Sequence, residues 1–419
     1  MEQENGRVLE DAQAGDPVAL ARALVATPSV NPEFEEAGAG KAAGAGEAAV
    51  VGEAAVAELT AGWLRAWGLS VDVSEVAPGR WNVVGRLAGK GTGPTLLLNG
   101  HLDTVGVAGM SVDPFGAEMR EGRLLGRGSC DMKGGVAALL AATARVALGA
   151  PSGTLIVALT ADEEHASLGM EALVHAGIRA DAAVVCEPTG LAVMPAHKGF
   201  VWVEADFRGR AAHGSRPEAG IDAIEHAGLY LTALGALRNR LGSGEPHPLL
   251  GLPSFHAGTI DGGSAPSVYP HACRLVLERR TLPGENPADI IEEFQSVLDG
   301  LGTYVPELDA KLTQGLARPG TEVPKDSPVV EGLLAACAGE GVDSSVTGMT
   351  AWVDAAFLNE AGTPAVCFGP GSIAQAHSAD EWIDTSEIVT CAAVLERFSN
   401  AFLEGDQGEM VTDVFAEAG

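Results

Sequence analysis

Basic residues are scarce in this chain. Lys and Arg together number 26 against 56 Asp and Glu, which gives a formal net charge of −30. Such an excess of negative charge repels the phosphates of nucleic acids and of anionic membranes. We therefore expect neither a nucleic acid nor a membrane as a partner.

Paired cysteines and an apolar leader are missing as well. The six cysteines include no CxxC pair, which is typical of a reduced protein without a disulfide framework. Residues 1–17 are polar and acidic and contain no apolar stretch of the secretory type. The longest small-apolar run, 134–150, carries Arg145 and falls short of the ~18–20 clean apolar residues that span a bilayer. We expect a cytoplasmic protein in which this run forms a buried helix.

Several catalytic and nucleotide-binding motifs are absent. The sequence has no GxSxG elbow of the serine hydrolases and no HExxH helix of the zinc proteases. GxxxxGK[ST] and GxGxxG are missing too, and no cysteine lies in a recognisable nucleophile motif. These absences argue against the corresponding enzyme classes.

At 419 residues the chain is long enough for two or three domains. Short apolar runs bounded by Gly, Pro or charged residues alternate with helical patterns such as 135–148, and this indicates an α/β fold with a mainly parallel sheet. The predicted strands are 81–87, 95–99, 154–161, 182–186 and 364–368. Further helices are predicted at 16–26 and 54–67. Residues 32–52, rich in Gly, Ala and Glu, predict a loop insertion.

The middle of the chain has a different pattern. It predicts, in order, a strand, a helix, two strands, a helix and a strand, at 200–207, 217–241, 254–261, 271–282, 287–301 and 310–314. This is the order of a ferredoxin-like α+β module. We therefore expect a domain at 198–315 inserted into a discontinuous catalytic domain made of 1–197 and 316–419.

Polar side chains follow three of the buried strands. His101 and Asp103 come after the first, Glu163 and Glu164 after the second, and Glu187 after the third. The carboxyl ends of strands in such a sheet gather ligands at one edge. Singly, each of these residues is more consistent with a structural role. Together they indicate a metal site, because carboxylates at the ends of buried strands are costly unless paired or metal-bound.

Two further stretches add candidates. Asp131 lies in the glycine-rich GRGSCDMKGG, directly before a helix, and His377 follows the loop that GPG opens at Gly369. Together with the strand ends, the stretches that stand out between residues 99 and 384 are GHLDTV, GRGSCDMKGG, ADEEHASLGM, CEPT, AAHGSRPEAGIDAI, RRTLPGE and GPGSIAQAHSADEW. In content and order this series resembles the M20 family of metallo-aminoacylases and peptidases, and most closely its deacetylase and desuccinylase members.

The resemblance implies a pair of divalent metal ions. His101 and Glu187 would hold one ion, Glu164 and His377 the other, and Asp131 would bridge them. Mixed nitrogen and oxygen ligands suit zinc, with cobalt or manganese as substitutes.

The resemblance also implies the catalytic groups. Asp103 would orient His101 from behind. Glu163 would be the general base for a metal-bridging hydroxide that attacks an amide carbon. The peptide bond that joins Asp131 to Met132 would be cis.

The inserted domain would serve as a lid and as the contact of a homodimer. His213 would reach the active site of the partner subunit, and Arg280 would grip a carboxylate of the substrate. Ser267 stands where many relatives have Asn, which bears on substrate identity, and Gly371 would line the substrate site.

We therefore expect an enzyme that hydrolyses an amide bond in a small N-acyl-amino acid. A carboxypeptidase or dipeptidase of the same family is the first alternative. A catalytically inactive, metal-dependent binding protein is the second, and the presence of every ligand and of the base Glu163 disfavours it.

Overall fold

The computed structural model describes residues 2–34 and 52–405. Most of the predicted loop insertion at 32–52 therefore lies outside the described residues, and within it Pro32–Phe34 form one helical turn. The chain divides into two compact units. The first comprises Met1–Pro195, Val323–Thr347 and Val353–Gly419, and the second comprises Ala196–Glu322 with Gly348–Trp352.

The elements are numbered in chain order. The helices are α1 Glu2–Gln13, α2 Pro17–Val25, α3 Ala54–Ala66, α4 Gly134–Gly149, α5 Leu168–His175, α6 Ala223–Gly242, α7 Pro287–Gly302, α8 Pro328–Gly339, α9 Ala355–Glu360 and α10 Thr385–Glu404. The strands are β1 Ser70–Ala77, β2 Arg80–Leu87, β3 Thr95–His101, β4 Glu118–Arg120, β5 Arg123–Leu125, β6 Thr154–Thr160, β7 Ala182–Val185, β8 Val193–His197, β9 Gly199–Arg208, β10 Ser254–Gly262, β11 Ala272–Thr281, β12 Asp309–Arg318, β13 Thr321–Glu322, β14 Val346–Met349, β15 Ala365–Cys367 and β16 Trp382–Asp384.

The first unit is built on a mixed sheet with a parallel centre, and this confirms the predicted fold class. Its order runs β1-β2-β6-β3-β7-β15. The pairs β6–β3, β3–β7 and β7–β15 are parallel, and β1 and β2 add an antiparallel edge. Strands β3 and β6 are buried along almost their whole length, as apolar runs covered on both faces should be.

Helix α4 is the central helix of this unit. Apart from Arg145 and its last turn it is buried nearly all round, which confirms the expectation of a buried helix. The segment Ser129–Gly149 has the length and apolar composition that could cross a membrane, but 78% of its most apolar window is buried inside the protein. Its apolar surface is therefore used by the core.

The second unit has the β-α-β-β-α-β order that the sequence predicts. Its four strands form an antiparallel sheet in the order β10-β11-β9-β12, which is that of a ferredoxin-like module. Tyr230 of α6 donates a hydrogen bond to the carbonyl oxygen of Phe294 in α7, so the two helices are tied together over the sheet.

Two boundaries differ from the sequence prediction. Helix α6 begins at Ala223 and not at 217, because the Asp222 side chain caps it by accepting from the N–H groups of Ile224 and Glu225. The second unit spans 196–322 where the predicted domain spans 198–315, and it also includes residues 348–352. That segment belongs there because Trp352 packs edge-on against Phe200, with ring centroids 6.0 Å apart.

Candidate metal centre

The site lies at the carboxyl ends of the parallel strands of the first unit. Strand β3 ends at His101, which pairs with Thr160 at the end of β6. The turn after β6 carries Glu163 and Glu164, and β7 leads directly into Glu187. Parallel register thus brings side chains from three separate strands to one edge.

Asp131 is the centre of the arrangement. Its Oδ1 lies 3.2 Å from Nε2 of His101, and its Oδ2 lies 3.5 Å from Nε2 of His377. The same His377 nitrogen is 3.0 Å from Oε2 of Glu164. One ligand atom each from His101, Asp131 and Glu164 falls within 4.8 Å of the others. The two oxygens of one carboxylate therefore face two different histidines, an arrangement that suits a carboxylate bridging two cations.

The hydrogen bonding of His101 leaves its other nitrogen ready for a cation. Its Nδ1 lies 2.9 Å from the carbonyl oxygen of Asp103, which can only accept a hydrogen bond. Nδ1 therefore carries a proton, and Nε2 faces Asp131 with either a second proton or, in the neutral ring, a lone pair. Burial opposes the charged ring, but the hydrogen bond to Asp131 raises the pKa of His101 well above its usual range, so the site favours positive charge at Nε2. A lone pair at Nε2 would face an oxygen of Asp131 at 3.2 Å. Two such acceptors repel each other unless a proton or a metal ion lies between them.

Glu187 is a further candidate ligand at this edge of the sheet. Its side chain is buried, and Oε1 has no hydrogen-bond partner among the described residues. Its charge interacts with those of Asp131, His101 and Glu164. A buried carboxylate oxygen without a donor is costly, and coordination of a metal ion removes that cost.

The pKa values reflect this crowding of negative groups. Burial, followed by the charge of Asp131, raises the pKa of Glu187 to about 8 and that of Glu164 to about 7. Burial and then the charge of Glu187 raise the pKa of Glu163 well above its usual range. Hydrogen bonds to Asp131 and Glu164 raise the pKa of His377 to about 10. The direction of each shift indicates a pocket that favours added positive charge, which divalent ions would supply.

The carboxylate of Asp103 binds backbone N–H groups more closely than it approaches the imidazole of His101. Its Oδ1 lies 3.6 Å from Nδ1 of His101, farther than the carbonyl oxygen of the same residue. The carboxylate accepts hydrogen bonds from the backbone N–H groups of Glu163, at 3.1 Å, and of Glu164, at 3.2 Å. Asp103 therefore holds both of these glutamates in place.

Glu381 organises the loop that carries Asp131. The buried Glu381 carboxylate accepts from the backbone N–H groups of Gly128, Cys130 and Asp131 at 2.9–3.1 Å, and it pairs with Arg127 at 2.6 Å. The peptide bond between Asp131 and Met132 in this loop is cis, as the family resemblance implies. The sequence assigned Glu381 no role, although this residue lies in the stretch GPGSIAQAHSADEW, four residues after His377.

Asp354 is a second group that sequence reasoning missed. Its side chain is buried, and it is near enough for its charge to raise the pKa of both Glu163 and Glu187. It precedes α9 in the unremarkable sequence WVDAAF, where no motif marks it.

Gly371 has a packing role. Its φ is +83°, and a Cβ there would lie 2.7 Å from Sγ of Cys130. Its N–H donates to Glu387 and its carbonyl oxygen accepts from Gly190. Both backbone groups are thus engaged inside the protein, and contact with a substrate stays a prediction.

The remaining candidates belong to the second unit. His213 is exposed, and its Nδ1 lies 2.8 Å from Oγ of Ser215. The N–H of Gly214 donates to the carbonyl oxygen of Ser267, so His213 and Ser267 lie on adjoining turns. Arg280 is partly exposed, with Nε 2.8 Å from Oε1 of Glu278.

Comparison with known proteins identifies the family. The model of peptidase family M20/M25/M40 matches residues 97–401, well over half of the chain. The chain belongs to the M20 family. This M20 hydrolase is 36% identical over 332 residues to an acetylornithine deacetylase from Myxococcus xanthus, and the match covers 77% of this chain and 84% of that protein.

Two solved structures share the fold. A tripeptidase from Staphylococcus aureus matches with a TM-score of 0.74 at 20% identity, covering 92% of this chain and 98% of that one. A Bacillus subtilis protein described as a dinuclear metal binding peptidase from the M20 family matches with a TM-score of 0.68 at 16% identity, covering 94% and 99%. These likenesses confirm the α/β architecture of the M20 hydrolase.

Proposed function

We propose that this M20 hydrolase uses two divalent metal ions to cleave the amide bond of a small N-acyl-amino acid. The observation that carries the proposal is Asp131, whose two oxygens face His101 and His377 separately. The similarity to an acetylornithine deacetylase supports the choice of an acylated amino acid as substrate.

The residues present fit a metal pair. His101 and Glu187 would hold one ion, His377 and Glu164 the other, with Asp131 between them. The lone pair of His101 and the unpartnered oxygen of Glu187 support this division. Imidazole and carboxylate donors suit zinc, with cobalt or manganese as substitutes. When bound, two such ions polarise an amide carbonyl and lower the pKa of a water molecule toward ~7 from about 15.7.

Glu163 is the general base in this proposal. Its backbone is held by Asp103, and burial beside Glu187 raises the pKa of its carboxyl group, so it is suited to hold a proton. Its carboxylate takes a proton from the attacking water. It then delivers that proton to the amine nitrogen as the carbon–nitrogen bond of the amide breaks.

The second unit would bind substrate, close as a lid and form a homodimer. Arg280 would grip the substrate carboxylate, Ser267 would shape the substrate site and His213 would stabilise the oxyanion in the partner's active site. Strand β10 is the edge of its sheet and is exposed along most of its length. Exposed apolar side chains occur on β10 at Ile260 and on α6 at Ile224. An open edge of this kind supports pairing with a second copy about a twofold axis.

A reducing, cytoplasmic environment goes with this function. All six cysteines are free and buried. Burial raises the pKa of Cys130, which lies in the loop of Asp131, above the usual thiol range. Inert, protonated thiols of this kind are typical of structural cysteines.

The decisive experiment is a substrate panel. N-acetyl- and N-succinyl-amino acids, including N-acetylornithine, are compared with dipeptides and tripeptides at equal Zn²⁺, Co²⁺ or Mn²⁺ concentration, with Glu163→Gln as the inactive control. We expect the highest kcat/KM on an N-acyl-amino acid. A preference for peptides would indicate an M20 peptidase instead of a deacylase. Metal binding without turnover of any substrate would indicate a metal-dependent binding protein.

A further inference from the structure

Behind the metal centre lies a buried ionic cluster formed by Arg80, Glu53, Asn31, Asp103 and Asp162. All five side chains are buried within the first unit. Arg80, at the start of β2, donates to both oxygens of Glu53 and, at 2.9 Å, to Oδ1 of Asn31. Its guanidinium lies 3.0 Å from Oδ1 of Asp162 and 3.7 Å from Oδ2 of Asp103.

Arg80 supplies the positive charge that offsets the carboxylates of this cluster. Three carboxylates share this cluster with one guanidinium, away from water. Buried carboxylates without a nearby cation repel one another and lose hydration. A guanidinium is planar and has five donors, so it can serve several oxygens at once in a fixed geometry.

Asn31 links the two aspartates to each other. Its Nδ2 donates to Oδ2 of Asp103 at 2.8 Å and to Oδ1 of Asp162 at 2.9 Å. Arg80 and Asn31 therefore hold the two aspartate carboxylates through contacts that add to those with the backbone.

Each aspartate in turn holds part of the metal centre. Asp103 follows His101 by two residues and accepts from the N–H groups of Glu163 and Glu164. Asp162 directly precedes Glu163, in a left-handed conformation with φ +70°. Its carbonyl oxygen accepts from the N–H of Ser167 at 2.6 Å, which closes the turn that contains both glutamates.

We infer that Arg80, together with Asn31, is a positioning residue of the metal centre, which acts through Asp103 and Asp162 to set the spacing between His101 and the Glu163–Glu164 turn. Arg80 is neither a candidate metal ligand nor a candidate substrate-binding residue. This inference rests on the proposed two-metal function, and it adds a residue to which no motif assigned a role.

Arg80→Met, Arg80→Lys and Asn31→Ala test the inference. Zn²⁺ affinity is measured on metal-free protein by competition with a chromophoric chelator, and kcat and KM are measured at saturating Zn²⁺. We expect Arg80→Met to lose 10- to 100-fold in Zn²⁺ affinity, the usual loss when a residue behind a metal ligand is removed, and to lose kcat by about tenfold or more with KM within about threefold. The lost kcat should persist at saturating Zn²⁺, because the turn of Glu163 stays displaced.

The other two variants separate geometry from charge. Arg80→Lys keeps the positive charge, and we expect it to fold. The three donors of one ammonium group cannot reproduce the four contacts that the guanidinium makes with Glu53, Asn31 and Asp162, so Zn²⁺ affinity should stay reduced by about tenfold. Asn31→Ala keeps every charge and removes the link between the aspartates, together with the Asn31 oxygen that accepts from Arg80. We expect a loss of about fivefold or more in Zn²⁺ affinity. These two variants decide the question if Arg80→Met does not fold.

Arg145→Met is the matched control. Arg145 forms an ion pair with Glu396 in the same unit at 3.1 Å, partly exposed to solvent. Its Zn²⁺ affinity and kcat should stay within about threefold of wild type. Folded Arg80→Lys and Asn31→Ala that also match wild type in both quantities would overturn the inference. Failure of the wild type itself to bind Zn²⁺ would instead refute the proposed function.

Discussion

Glu381→Gln should destabilise the first unit far more than the loss of an exposed ion pair of the same length would. Gln is nearly isosteric but has one acceptor oxygen where Glu has two. Oε1 of Glu381 accepts from Cys130 and Asp131, and Oε2 accepts from Gly128 and Arg127. Whichever way the amide is oriented, two of these four donors face an N–H₂ group, and Arg127 is left as a buried charge without a counter-ion.

The magnitude follows from burial. Breaking a buried ion pair by removing one partner costs about 3–5 kcal/mol, whereas an exposed pair contributes about 0–1 kcal/mol. Glu340 and Arg397 offer the comparison, because their ion pair has the same 2.6 Å separation. The side chains of Arg127 and Glu381 are 4% and 1% exposed, whereas those of Arg397 and Glu340 are 51% and 27% exposed.

The assay is urea unfolding of wild type, Glu381→Gln and Glu340→Gln, combined with Zn²⁺ titration of each. We expect a loss of about 3–5 kcal/mol for Glu381→Gln and less than about 1 kcal/mol for Glu340→Gln. Because the Asp131 loop loses its support, only Glu381→Gln should also lose about 10- to 100-fold in Zn²⁺ affinity. Equal losses of stability in the two variants would refute the reasoning from burial.

Further predictions concern metal content, the base, the second unit and acid stability. Zn²⁺-saturated protein should contain about two equivalents by elemental analysis, and full activity with one would contradict bridging by Asp131. Glu163→Gln should keep both ions and lose about 10²–10⁴-fold in kcat, and a loss of less than about threefold would assign the base elsewhere. Inactive His213→Ala mixed with inactive Glu163→Gln should regain activity after subunit exchange, whereas no recovery despite proven exchange would exclude a role across the dimer. Burial lowers the pKa of His197 in the folded protein to about 4, so as the pH falls the unfolded chain becomes protonated at this residue before the folded protein does. Its contribution to stability is therefore complete above pH ~6.5 and declines as the pH falls to ~4, by about 3 kcal/mol in all. His197→Gln should flatten that decline in unfolding experiments, and an unchanged pH profile would rule the residue out as its cause.

What the sequence determined by itself was local. Apolar runs between breakers predicted the strands β3, β6 and β7, because burial on both faces leaves a continuous signal along the chain. The polar residues that follow these strands could be recognised because each group ends an apolar run. The ferredoxin-like order of the second unit could also be predicted, since its half-buried strands alternate. Strand β1 was missed because it is an edge strand with no fully buried residue.

Only the tertiary structure decided which distant residues meet. Glu381 bonds the backbone of Cys130 across 251 residues, and Asn31 bonds Asp162 across 131. Neither contact produces a periodic pattern in the sequence, because a single buried polar residue cannot be told there from a polar residue on the surface. Its partners are chosen by the packing of strands and loops, which brings their donors and acceptors out of water together. Glu381 and the Arg80 cluster, which contact the loops of the candidate metal centre, were therefore found only in the folded chain.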